Sequence, residues 1–148
     1  MSNELKIGRD YVGVGQGILI FNDNNRVLLM KRGKKAKNEV GWWTKPGGEI
    51  EYGETAMESV KREIKEELDV EVEIWGYCMH TDHIIKDDNQ HWLAINFLGR
   101  IKSGELKNME PHKCDELKWF NLNNLPEKLV QTTREAIENY LNKKYIRL

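Results

Sequence analysis

The residues best equipped for chemistry are three glutamates at helical intervals, Glu63, Glu66 and Glu67, in the run Arg62-Glu63-Ile64-Lys65-Glu66-Glu67. An α-helix turns about 100° per residue, so side chains three and four apart share a face. Like charges at that spacing repel, which costs an isolated helix about 0.2–0.5 kcal/mol per pair. A divalent cation between them reverses the sign. A donor set made only of oxygen suits a hard ion, Mg²⁺ or Mn²⁺, rather than zinc. Spacing alone describes a solvated acidic surface at least as well, and the flanking residues decide. Pro46-Gly47-Gly48 reads as a tight turn, Gly53-Glu54-Thr55 opens a helix, and Ala56, Met57, Val60, Ile64 and Leu68 form its buried stripe. The carboxylates lie off that stripe, beside the glycines. Arg62 is two helical turns from Glu54, about 12 Å, which a long side chain spans.

Gly48, Glu54, Arg62-Glu63-Ile64, Glu66-Glu67 and Asp69-Val70 together resemble the signature of the Nudix hydrolases. One position departs: Asp69 stands where the family usually has glycine. It follows the helix as its C-terminal cap, a place for left-handed backbone, which aspartate adopts at a small cost. The resemblance implies an α/β (α+β) fold, a single domain over residues 1–148 built as an α/β/α sandwich with a mixed sheet. It implies Mg²⁺, with Mn²⁺ as the substitute, held by Glu63, Glu66, Glu67 and the Gly48 carbonyl, with Glu110 added from a later loop. Arg62 would lock Glu54 and the glycine loop in place. The general base stays open between Glu66 and Glu67 within the signature and Glu110, Asp115 or Glu116 outside it.

Val12-Gly13-Val14-Gly15, Val27-Leu28-Leu29 with Lys31-Arg32, and residues 107–115 are similar to one subgroup of that family. Its members hydrolyse nucleoside triphosphates, including modified guanine nucleotides, to monophosphate and pyrophosphate. The subgroup also suggests a homodimer. Relatives that cleave ADP-ribose often carry a proline some way past the signature, where this chain has Ile85, Lys86 and Asp87. An ADP-ribose or nucleotide-sugar diphosphatase is therefore the second expectation. A nucleotide sensor without activity is the third, and ranks last because Glu63, Glu66 and Glu67 are all present.

Composition narrows the classes further. With 148 residues, 39% of them hydrophobic, and a formal net charge of −1, the chain forms one core and offers no broad basic face to a nucleic acid polymer. No apolar run approaches the roughly 18–20 residues that cross a bilayer. Residues 1–6 hold no signal-peptide core, which points to the cytoplasm. Cys78 and Cys114 are too few and too far apart for a disulfide framework.

The remaining elements must position the site. Residues 11–21 alternate as a strand whose Gly13, Gly15 and Gly17 leave one face bare. No helix follows them, so they are not a dinucleotide fingerprint. Residues 22–25 read as a turn and residues 26–32 as the returning strand of a hairpin. Residues 33–40 form a lysine-rich loop, and Arg32, held at the strand end before it, is the better phosphate contact. Trp42 and Trp43 point to opposite faces, one to the core and one to a base cleft. Trp43 and Trp92 are the leading base contacts, with His80, Asn121 and Asn123 behind them. Lys45 takes a position that is usually leucine in the family, which makes the pocket more polar. Residues 71–86 and 90–101 read as long strands around a turn. Trp92, Ala94, Asn96 and Leu98 share one face of the second; Leu93, Ile95 and Phe97 share the other. A loop over residues 102–115, a short strand over 117–121 and a helix over 126–142 complete the chain.

Overall fold

The chain is organised around β1 (Gly13–Ile20), whose Ile18, Leu19 and Ile20 are fully buried. A computed structural model describes residues 4–148; residues 1–3, the start of the segment read above as lacking a signal-peptide core, lie outside the described residues. Side chains alternate along a strand, so β1 feeds two separate cores. Ile18 and Ile20 meet Val60, Ile64 and Leu68 of α1 (Ala56–Leu68) on one face. Leu19 meets Ala136 and Ile137 of α2 (Gln131–Leu141) on the other. A sheet between two helices is the α/β/α arrangement expected.

One edge of β1 pairs with β4 (Gly47–Glu49), antiparallel; the other pairs with β6 (Gln90–Ser103), parallel. β6 then pairs antiparallel with β5 (Glu71–Ile85), and a short β8 (Ile146–Arg147) closes that edge, giving the order β4-β1-β6-β5-β8. A second, three-stranded sheet runs β3 (Trp43–Thr44), β2 (Val27–Arg32), β7 (Cys114–Phe120).

The hairpin expected between residues 11–21 and 26–32 does not form. Both edges of β1 are occupied, so after the turn the chain crosses into the second sheet, leaving a bridge between Phe21 and Val27 and a bond from the Asn22 N–H to the Arg26 carbonyl at 3.0 Å. Pro46-Gly47-Gly48 leads into a strand rather than closing a turn. The last helix starts at Gln131 and not at residue 126, because residues 128–130 run extended against β3. Trp43 donates its N–H to the Lys128 carbonyl at 2.8 Å, and Val130 donates to the Trp43 carbonyl at 2.9 Å. β7 begins at Cys114, three residues before the expected strand, and β8 was not anticipated. Among the described residues no helix is long and apolar enough to cross a membrane.

α1 has defined ends. The Thr55 hydroxyl accepts the Glu58 N–H at 3.1 Å, and Asp69 sits at φ 56°, ψ 33° with its N–H on the Lys65 carbonyl at 3.0 Å. The left-handed cap anticipated for Asp69 is therefore present. Its ion pair with Lys65, 3.2 Å apart, is half exposed and worth little. Asp69→Gly should leave the melting temperature unchanged or raise stability by up to about 1 kcal/mol, and Asp69→Ala should lower it by about 1 kcal/mol. Urea melts of the three proteins check this.

Candidate active site

Two glycines allow β4 to lie between β1 and α1. A side chain at Gly47 would strike the Gln16 carbonyl, and one at Gly48 would place its Cβ 2.6 Å from Cδ of Glu63. The same closeness fixes which backbone group faces where. A Cβ on Gly15 would lie 2.7 Å from the Gly48 carbonyl oxygen, so that carbonyl is turned toward β1. Backbone groups alternate along a ladder, so at Gly47 they point off the sheet edge instead. This corrects the expectation that Gly48 offers its carbonyl to a cation, since that carbonyl faces β1. That orientation was hidden because residues 46–48 read as a turn, in which no alternation applies.

Arg62 ties the signature together. Its Nε donates to Glu54 Oε2 at 3.0 Å and its Nη2 to Glu54 Oε1 at 2.7 Å, a two-pronged contact. Glu54 Oε1 also accepts the Glu51 N–H at 2.8 Å, so the loop before α1 is fastened at both ends of one carboxylate. The guanidinium holds the Glu54 carboxyl down to about 2, helped by that backbone bond, and Glu54 in turn raises Arg62. Nη1 reaches Glu63 at 3.2 Å and Glu66 at 3.3 Å, while Nη2 also donates to the Glu49 carbonyl at 3.3 Å.

The glutamates then divide. Glu66 is exposed at the rim beside Arg62. Glu63 is half-buried between Gly48 and Arg62, and burial raises its carboxyl against the pull of the guanidinium. Glu67 points inward. Burial pushes it up to about 8, reinforced by the charges of Glu63 and Glu110 and opposed by Lys113 and a hydrogen bond from the Gly47 backbone. Its Oε1 is buried without a hydrogen-bond partner among the described residues.

Glu110 reaches this cluster because its loop is sewn to the end of α1. Lys107 donates its N–H to the Leu68 carbonyl at 3.0 Å and Met109 to the Glu67 carbonyl at 2.9 Å. Asn108 accepts the Glu110 N–H at 3.1 Å and fixes the turn. Asp115 and Glu116, the other bases considered outside the signature, are exposed on β7, and Asp115 packs on Gly33. Lys113 beside Glu67 was not singled out from the sequence, where it is one lysine of many.

Among the described residues no three acidic, histidine or cysteine side chains are gathered at coordination spacing. Like charges hold apart, and Arg62 supplies the cation between Glu63 and Glu66. The donor chemistry nevertheless fits a hard divalent ion: oxygen only, with an orphaned buried carboxylate oxygen on Glu67. Glu63 and Glu67, with Glu110 alongside, are the residues that would hold one.

The residues expected to bind substrate have three different fates. Arg32 lies near Glu67, its guanidinium half-buried and lowered by that burial, with Nε on the Asn38 carbonyl at 2.9 Å and Nη2 on Asn38 Oδ1 at 3.0 Å. Trp43 does not line a cleft: it packs edge-on against Phe120, 4.8 Å between centroids, in the core under α2. Its neighbour Trp42 is the outward one. Trp92 lies over Gly8 and Gly13, where an added methyl would collide with its ring, and its indole donates to Gln90 Oε1 at 2.7 Å. The bare face of β1 is thus filled by the chain's own side chains. Lys45 covers Gly17, its Cε 2.6 Å from where a methyl would stand. Burial lowers it to about 8, against the charges of Cys78, Glu135 and Glu39.

A carboxyl raised by burial makes folding pH-dependent with a definite sign. Glu67 ionises near 4.5 in the unfolded chain but near 8 in the fold, so the penalty of burying its charge is absent below pH 4.5 and grows until pH 8. In chelator, Glu67→Gln should be more stable than the parent by at least about 1 kcal/mol above pH 8 and equal to it below pH 4.5. Urea melts at the two pH values test this.

A protein-family model described as the NUDIX domain matches residues 12–140. An ADP-ribose pyrophosphatase of Methanocaldococcus jannaschii is 35% identical over 122 residues, 82% of this chain and 69% of the relative. An RNA pyrophosphohydrolase of Pelagibacter ubique is 26% identical over 153 residues, 86% of this chain and 92% of the relative. Among solved structures, a MutT NUDIX hydrolase from Burkholderia pseudomallei superposes with a TM-score of 0.81 at 38% identity, covering 87% of this chain and 98% of that one.

Proposed function

Because the chain belongs to the NUDIX family and is a hydrolase of nucleotide diphosphate derivatives, we propose that it hydrolyses a nucleoside triphosphate to the monophosphate and pyrophosphate, with Mg²⁺ as the natural cation and a modified purine within its range. The observation that carries this is that Glu63 and Glu110 lie near enough to Glu67 for their charges to raise its carboxyl, on a helix braced by the Arg62–Glu54 contact. When bound there, a divalent cation neutralises phosphate charge and acidifies water.

The chain's own residues do the rest. Arg62 fixes Glu54 and thereby the loop before α1, so the carboxylates are in position before substrate arrives. Glu67, ionised when it holds a cation, would offer Oε1, which has no partner among the described residues, to a proton from water. Arg32 and Lys113 bring two positive charges to the carboxylates, which favours a polyphosphate over a singly charged group. Arg32 keeps Nη1 free of the Asn38 contacts.

A second reading, cleavage of ADP-ribose or a nucleotide sugar, is favoured by the 35% identity to the M. jannaschii enzyme. A panel of nucleoside triphosphates, ADP-ribose and nucleotide sugars with Mg²⁺, with products identified, separates the two. Pyrophosphate release from a triphosphate at higher kcat/KM than any diphosphate compound is expected; the reverse order moves the assignment to the second reading. Glu67→Gln should reduce kcat by about 10²–10⁴ with folding intact, and near-parental turnover would remove Glu67 from the chemistry.

A further inference from the structure

On the α2 side of β1, one buried polar atom has no partner among the described residues, and a lysine lies beside it. Asn96 is fully buried in the middle of β6, on the face it shares with Leu98. Its Nδ2 donates to the Met79 carbonyl at 3.1 Å and to Thr81 Oγ1 at 3.0 Å. Those acceptors fix the orientation of the amide, so Oδ1 is the atom presented toward Gly17, and among the described residues it has no hydrogen-bond partner. Lys45 is nine-tenths buried over the same glycine; a methyl on Gly17 would be 2.6 Å from Lys45 Cε and 2.9 Å from Asn96 Oδ1. Among the described residues its ammonium has neither a hydrogen bond nor an ion pair. A buried acceptor left unspent beside a lysine that makes no hydrogen bond is uncommon enough to need an explanation.

The backbone of Lys45 is deliberately held. Its N–H donates to Thr133 Oγ1 at 3.0 Å, and Thr133 also pairs with Thr44 at 3.1 Å, so the first turn of α2 sets where the lysine enters. Thr81 opens onto a cavity of about 420 Å³ lined also by Cys78, Met79 and Glu135. Lys45 is three residues from Gly48, so its backbone lies within about 10 Å of the glycine that packs on Glu63. That is the reach of a nucleoside from its base to its phosphates.

Resting on the reading of the chain as a nucleotide hydrolase, we propose that Lys45 and Asn96 read the base, and that they select a keto base (guanine, hypoxanthine or uracil) over an amino base (adenine or cytosine). Lys45 offers only donors, and Asn96, its amide nitrogen already used, offers only an acceptor. A keto base presents a carbonyl oxygen next to a ring N–H and matches both. In the same pose an amino base presents an amine to the ammonium and a bare ring nitrogen to Oδ1, so both contacts reverse. Lysine on the guanine carbonyl edge is a familiar readout in nucleic acid recognition for the same reason. Glu135 and Glu39 bias the site toward keeping Lys45 charged.

Equilibrium binding of GMP, IMP, UMP, AMP and CMP tests this without turnover, so it stands or falls apart from the assignment of the hydrolysed substrate. The keto set should bind at least about tenfold tighter than AMP and CMP. N1-methyl-GMP, which lacks the ring N–H, should bind about tenfold weaker than GMP to the unaltered protein. Lys45→Met, which keeps the apolar stem and removes the charge, should bring all five nucleotides within about twofold. AMP binding as tightly as GMP, undiminished binding of N1-methyl-GMP, or a Lys45→Met protein that melts lower but keeps its base ratio would each overturn the proposal, the last by making the pair purely structural.

Discussion

Everything at the site depends on one guanidinium. Arg62 is on the helix that carries the glutamates, and its two prongs close on Glu54 of the loop that precedes that helix. The loop hangs from β4, and β4 is an edge strand of three residues, too short to hold its own position. The fork fastens loop to helix, and the Glu49 carbonyl is caught in the same grip. Removing the planar fork would leave Glu54, Glu63 and Glu66 without the positive charge that each of them contacts. Lysine could replace the charge but not the two-pronged geometry.

The second support comes from far along the chain. The loop that carries Glu110 would wander if it were held only at its ends, yet its backbone pairs with carbonyls at the last turn of α1. Helix ends leave carbonyls unsatisfied, and here those spare acceptors become the attachment for a distant carboxylate. Asp69, by turning the backbone left-handed at that end, exposes the carbonyls to be used. Substitution of the family's glycine at this position therefore bears on stability more than on chemistry.

Much of this was legible in the sequence because it is local. The stripe of α1, its caps, the pairing of Arg62 with Glu54 and the two faces of β6 all follow from spacing over a few residues. What failed was non-local. The turn at residues 22–25 promised a hairpin, but β1 had both edges filled by strands from elsewhere. Which of Trp42 and Trp43 faces the core was undetermined until residues 128–130 packed against β3. Lys45 was visibly out of place for the family, yet its burial follows from Gly17 and Thr133, distant in sequence on either side. Asn96 was placed on the correct face but given no role, since only the directions of its hydrogen bonds show that one oxygen is left over.

The parallel pairing of β1 with β6 has a consequence for how the molecule is made. Residue 13 finds its partner at residue 92, and no local turn can bring them together. Such closures come late, because chain entropy is lost before any contact rewards it. Among the described residues β4 has no sheet neighbour except β1, so the glycine edge beneath the glutamates has a full partner only once β1 is docked. During synthesis β1, β4 and the acidic helix all emerge before β6, the strand on which β1 docks. The catalytic end of the protein is thus among the last parts to be completed, and it becomes competent only when more than half of the chain is in place.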